Sequence, residues 1–238
     1  VARDRLAEFG DRVTYVHADY RELVNVVREA GSPDVHGVLA DLGVSSMQLD
    51  APERGFSFRQ DGPLDMRMNR AAGASLAERL ADVDETTLAN VIYEFGEERK
   101  SRRVARAIVE ARDAGGLTGT AALASVVRRA TGGGKWQRLD PATRTFQALR
   151  IWTNGELDGL DTFLESAVRL VVPGGRVAII AFHSLEDRVV KHTFRRLGGD
   201  GSRTVEVVTR RPVVPSDEEA ERNPRARSAR LRVVERVA

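Results

Sequence analysis

The sequence predicts an α/β fold whose parallel sheet is interrupted by an all-helical block. Three observations carry this. Short β-branched runs alternate with helical periodicity toward both ends of the chain, the order that lays helices on a parallel sheet. Between Ser75 and Ala130 only helical patterns occur. Near the C-terminus, Ala229, Leu231 and Val233 alternate with Ser228, Arg230 and Arg232. That period of two marks an antiparallel strand with one face in water.

Val1 to Phe9 reads as a helix, and Gly10 suits its cap. Arg12 to His17, RVTYVH, is rich in β-branched and aromatic residues and reads as a strand. Leu23, Val26 and Val27 give Arg21 to Ala30 a helical stripe that ends at Gly31. His36 to Ala40 is the next strand. From Pro52 to Arg70 glycine and proline punctuate a long loop. Turns near Asp82 to Asp84 and Ala114 to Thr118 divide the helical block, and TGGGKWQRLDP reads as a flexible junction. Helices follow through Phe146, Leu149 and Trp152, and through Phe163, Leu164 and Val168, the second stopped by Pro173-Gly174-Gly175. Arg176 to Phe182, RVAIIAF, is the clearest buried strand. A helix to Arg196 comes next, with Ser184 and Asp187 spaced as a capping pair. The expected division is 1–70 as the first part of the sheet domain, 71–140 as the helical subdomain and 141–238 as the second part.

With 42% hydrophobic and 30% charged residues, the composition is that of an ordinary globular chain, and 238 residues can bury a core without staples. The absence of cysteine excludes disulfides and thiolate metal sites and fits a reducing cytoplasm. No apolar run approaches the length of a membrane span. The net charge of +2 implies no polyanionic partner by itself, so local clusters must carry any such inference. Three exist: Arg99, Lys100, Arg102, Arg103 and Arg106; Arg128, Arg129, Lys135, Arg138 and Arg144 around Trp136; and Arg222, Arg225, Arg227, Arg230 and Arg232. Each alone reads as a solvated face. Together, with an aromatic in a loop, they make RNA binding credible.

Ligands of open α/β sheets bind outside the carboxyl ends of the parallel strands. Three predicted strand ends carry unusual polarity: Asp19-Tyr20, Asp41 through Gln48, and His183-Ser184. Each also has a plain structural reading. Asp41, Ser45 and Ser46 suit a turn or a helix cap, and His183 suits a satisfied core histidine. The scattered histidines form no metal-ligand cluster, no G-x-S-x-G elbow occurs, and TGGGK lacks the spacing of a phosphate loop.

Four long segments carry a resemblance: ADLGVSSMQLDAPERGFSFRQDGPLDMRM, PATRTFQALRIWTNGEL, PGGRVAIIAFHSLEDRVVK and NPRARSARLRVVER. In this order, around a helical block, the chain closely resembles the bacterial ribosomal RNA small subunit methyltransferase H family, also called MraW. The resemblance covers essentially the whole chain. It implies a class I, Rossmann-like, S-adenosylmethionine-dependent methyltransferase sheet with an inserted helical subdomain. It implies methylation of the exocyclic N4 of a cytidine in the decoding region of 16S rRNA, within the small ribosomal subunit and in the cytoplasm. By motif match Tyr20, Asp41 and Gln48 fall at cofactor-contacting positions. Asp41, Ser45, Ser46 and His183 are the catalytic candidates, with Asp41 favoured for orienting the cofactor and the others for holding the base. Arg54, Arg67, Lys135 and Arg144 are the RNA-contact candidates, because they lie in loops flanking the expected rim. Val1 is not Met and starts inside an apparent helix, so the family's first strands and glycine loop are expected to precede this sequence. The alternative is an RNA-binding or assembly fragment without catalysis. The oligomeric state, a homodimer included, is left open.

Overall fold

A computed structural model describes residues 2–32, 34–132, 140–199 and 204–237. In chain order the elements are α1 (Ala2–Arg5), α2 (Leu23–Glu29), β1 (Val35–Asp41), α3 (Ser46–Asp50), α4 (Leu76–Asp82), α5 (Glu85–Gly96), α6 (Ser101–Asp113), α7 (Thr120–Thr131) and α8 (Ala142–Asn154). Then come α9 (Leu160–Leu170), β2 (Val171–Ala181), α10 (Ser184–Gly198), β3 (Val205–Val207), α11 (Asp217–Arg222) and β4 (Arg230–Arg236). The chain divides into two compact units, Val1–Gly43 with Leu157–Ala238, and Val44–Glu156. TGGGKWQRLDP lies largely outside the described residues, as do Lys135 and Trp136 within it.

The first unit is built on a mixed four-stranded sheet of order β1-β2-β4-β3. β1 and β2 run parallel, with Gly37 opposite Arg176 and Asp41 opposite Ile180. β4 runs antiparallel to both β2 and β3. The core joins Phe163, Leu164 and Val168 of α9 and Val190 and Phe194 of α10 with Val177 and Ile179 of β2 and Val234 of β4. Burying each such side chain contributes roughly 1.5–3 kcal/mol.

Three local expectations change in this unit. The helix expected from Val1 to Phe9 with a cap at Gly10 is only α1, Ala2–Arg5, followed by a 3-10 segment, Ala7–Arg12, that includes Gly10. Arg12 to His17 forms no strand among the described residues. Val13 has extended dihedrals, but the segment has no ladder, and β-branched composition without a neighbouring strand does not make one. Pro173-Gly174-Gly175 does not separate helix from strand either. α9 ends at Leu170, and the three residues lie inside β2, where the register against β1 shifts between Val35 and Gly37. Glycine is required there: a Cβ on Gly175 would sit 2.8 Å from the Val172 carbonyl oxygen and 3.0 Å from that of His36.

The second unit is helical. Leu88 and Ile92 of α5, Val104 and Ile108 of α6, Leu123 of α7, and Phe146 and Leu149 of α8 share one core. α8, which in sequence looks like the start of the second α/β part, thus packs with the helices. The loop before α4 packs there as well, through Phe56, Leu64 and Met66. Met66 is fully buried with φ of 57°, a conformation rare for a non-glycine residue. Its surroundings over-determine it. Its N–H donates to the Arg54 carbonyl at 3.1 Å, and its own carbonyl accepts from Asn154 Nδ2 at 2.8 Å. The Met68 N–H donates to Asn154 Oδ1 at 2.7 Å.

Candidate functional site

In the first unit the polar groups gather where the parallel pair ends. Asp41 closes β1 beside Ile180 of β2, and β2 stops one residue later at Ala181. Asp41 is exposed as a residue, yet its carboxyl titrates above the usual range, because partial desolvation at the strand end and then the nearby Glu186 carboxylate disfavour its charge.

Glu186 is only 2% exposed. Its Oε2 accepts from the Phe182 N–H at 3.0 Å and the His183 N–H at 3.4 Å. In return, His183 Nδ1 accepts from the Glu186 N–H at 3.3 Å. His183 is therefore the N-cap of α10, and Glu186 completes a capping box at the positive end of the helix dipole. With Nδ1 accepting, the ring proton belongs on Nε2, which lies buried 3.2 Å from Glu186 Oε1 without hydrogen-bond geometry.

This corrects the expected cap. Ser184 and Asp187 do not form it; the cap begins one residue earlier, because His183 has extended dihedrals and the helix starts at Ser184. Asp187 turns instead to β4, meeting Arg232 at 2.6 and 3.0 Å and Arg230 at 3.1 Å. Glu186 itself escapes a sequence reading that looks for Ser or Thr at the cap. The available signal was a glutamate three residues after a polar strand end.

Tyr20 opens a one-turn helix, Tyr20–Glu22, capped by Asp19. Its ring meets Phe163 edge-on at 4.8 Å, and the Arg21 guanidinium lies 5.6 Å from its centroid. Asp19 pairs with Arg21 at 2.9 Å. Burial raises the Asp19 carboxyl, but the Arg21 side-chain and backbone hydrogen bonds outweigh it and hold the group below the usual range. The first unit thus brings Asp41 next to the His183–Glu186 pair, while Tyr20 is anchored on α9.

In the second unit Ser45 caps α3. Its hydroxyl accepts from the Gln48 N–H at 3.3 Å, and Gln48 Oε1 accepts from the Ser45 N–H at 2.8 Å. The Gln48 amide nitrogen keeps its donors for other partners. Ser46 is exposed in the first turn. Arg54 and Arg67 organise the loop before α4. Arg54 Nη2 donates to the carbonyls of Arg67 and Met68 at 2.8 and 3.0 Å, and Arg67 Nε pairs with Asp65 at 2.6 Å. The Arg67 hydrogen bonds hold the Asp65 carboxyl below its usual range. Arg144, expected in a loop, lies instead in the first turn of α8, exposed, with Nη1 3.4 Å from the Glu97 carbonyl.

A mixed α/β sheet with polar groups at the carboxyl ends of its parallel strands is consistent with a class I methyltransferase. The chain belongs to the MraW methylase family, whose pattern matches residues 1–237. Curated relatives agree over nearly the whole chain. A ribosomal RNA small subunit methyltransferase H of Sorangium cellulosum is 52% identical over 237 residues, covering 100% of this chain and 74% of that protein. The protein of the same name from Synechococcus elongatus is 51% identical, covering 99% and 76%. That of Acinetobacter baumannii is 50% identical, covering 98% and 78%.

Proposed function

We propose that this protein transfers a methyl group from S-adenosylmethionine to the exocyclic N4 of a cytidine in the decoding region of 16S rRNA, on the small ribosomal subunit in the cytoplasm. Family membership at about half identity over the whole chain is the observation that supports the reading most strongly. The architecture proposed with it is a class I sheet with the helical unit inserted. Among the described residues no helix is long and apolar enough to cross a membrane.

The residues proposed for the cofactor carry groups of suitable chemistry. Asp41 offers an exposed carboxylate at a strand end, suited to a hydroxyl or a cationic group. Tyr20 offers an aromatic ring anchored on Phe163, and Gln48 an amide whose N–H donors have no partner among the described residues. When bound, S-adenosylmethionine supplies a methyl already activated on a sulfonium. What remains for the chain is positioning, which contributes up to about 7–11 kcal/mol of a barrier.

The cytosine amino nitrogen is a weak nucleophile because its lone pair is delocalised into the ring. Acceptors on its N–H groups favour a more pyramidal nitrogen and take the departing proton. Ser45, Ser46 and His183 are assigned to holding the base, which must be splayed from its neighbours to react. The His183 assignment uses its ring Nε2–H as a donor to an acceptor on the base, since Nδ1 accepts from the helix; accepting from the amino group falls to the serine hydroxyls. Arg54, Arg67 and Arg144, with Lys135, are assigned to the RNA. A guanidinium has five donors, so Arg54 and Arg67 can hold their loop and still meet phosphate.

Asp41→Ala tests the assignment. Labelled methyl transfer to small subunits lacking the modification should fall at least 100-fold, with unfolding of the variant unchanged. Wild-type turnover would remove Asp41 from the site.

A further inference from the structure

On α6, Arg102, Arg103 and Arg106 lie opposite the buried stripe of Ser101, Val104, Ala105 and Ile108, and Arg99 is exposed in the turn that leads into the helix. Glu110 and Asp113 continue the same exposed stripe toward the C-terminus. The charge order of this exposed stripe therefore runs against the helix dipole, with cations at the positive end and acids toward the negative end, where Arg112 pairs with Asp113 at 2.8 Å. Lys100, at the N-cap position, makes no side-chain cap. Stability alone would choose the reverse order.

Most other arginines of the helical unit are engaged. Arg112 donates to the Leu80 and Val83 carbonyls, Arg128 pairs with Asp140, and Arg150 with Glu156. Arg106 approaches Glu85 at 3.5 Å, and Lys100 donates to the Thr131 carbonyl at 2.6 Å. Arg99, Arg102 and Arg103 are exposed and have no hydrogen bond or ion pair among the described residues. The nearby Glu98 accepts from the Lys100 N–H. On α5, one turn before the corner joining it to α6, Tyr93 is 60% exposed.

We propose that Arg99, Arg102 and Arg103 form an RNA phosphate-binding surface on the helical unit, with Tyr93 offering a stacking face to an unpaired base. The proposal rests on the rRNA reading above and names a surface that serves it. Clustered cations alone would suit any polyanion. The exposed aromatic at the same corner favours RNA over an acidic peptide or a lipid headgroup.

The test is titration of the full chain with a fluorescent oligonucleotide of the 16S decoding region across a salt series. Replacing all three arginines by glutamine should weaken binding roughly 10–100-fold near 0.1 M salt and reduce the log–log salt slope by roughly 2. The matching Arg→Lys triple should keep the slope, and Tyr93→Ala should weaken binding without changing it. Circular dichroism controls for folding. Binding by the glutamine triple within twofold of wild type, at the same slope, would overturn the proposal. So would failure of the wild type to bind the RNA, or its preference for a polyglutamate peptide. If binding responds as expected while the wild type transfers no methyl group, the surface stands and the enzymatic reading falls.

Discussion

Single residues set the electrostatics at the end of the parallel pair. Asp41 is exposed, but partial desolvation and Glu186 disfavour its charge, whereas Asp187, one residue past Glu186, is buried and engaged by Arg230 and Arg232. Burial pushes the Asp187 carboxyl up, but the two arginines prevail and hold it below the usual range. A carboxyl whose folded value is depressed stabilises the fold fully above its unfolded pKa of about 3.9. That stability is lost as pH falls through the folded value. Asp187→Asn should therefore lower stability at pH 7 by about 3 kcal/mol, because Arg232 is left buried without its counter-charge. It should also flatten the loss of stability below pH ~4. Denaturant unfolding at pH 7 and pH 3 checks both, and an unchanged midpoint at pH 7 would contradict the role given to the pair. The sequence shows Asp187 three residues after Ser184 and therefore invites a cap. Only backbone dihedrals reveal that His183 takes the cap position and frees Asp187 for a strand more than forty residues away. For the same reason composition cannot separate engaged arginines from free ones: Arg128 and Arg102 look alike until Asp140 is seen beside the first.

At the scale of elements, the legible parts were those whose periodicity matches their burial. The buried run Arg176 to Phe182 corresponds to β2, and the helical block to α4 through α7. The alternation near the C-terminus does mark an antiparallel strand, β4, but the face it buries is the other one: Arg232 and Val234 are buried, while Leu231 and Val233 are half-buried. Arg12 to His17 misled because strand propensity needs a partner strand to act on. Pro173-Gly174-Gly175 misled because the same residues serve a turn or a bulge, and the choice depends on the neighbouring chain. α8 joins the helices through contacts that local sequence does not encode. Gly96 marks the closest of them: a Cβ there would lie 2.7 Å from the Arg144 carbonyl oxygen and 3.2 Å from the Ala148 Cβ. Alanine is the better helix former by about 1 kcal/mol. The clash with fixed backbone should outweigh this and cost a net ~2 kcal/mol, or roughly 4–8 °C in unfolding midpoint. A midpoint equal to or above wild type in a calorimetric scan of Gly96→Ala would show that α5 and α8 are not packed so closely.

For the whole molecule, family membership carries more of the functional reading than any one side chain. The residues expected at the cofactor and the base are distributed over the two units, each held by local structure: Tyr20 on α9, His183 in its capping box with Glu186, and Ser45 with Gln48 at the start of α3. Fixed frameworks of this kind suit a reaction that depends on positioning rather than on an acid or base of unusual strength. The most direct measurement is nucleoside mass spectrometry of 16S rRNA, after small subunits lacking the modification are incubated with this protein and isotopically labelled S-adenosylmethionine. The account predicts label in N4-methylcytidine, at one position of the decoding region and at no other. Label in another nucleoside or in a protein, or no transfer at all, would contradict it.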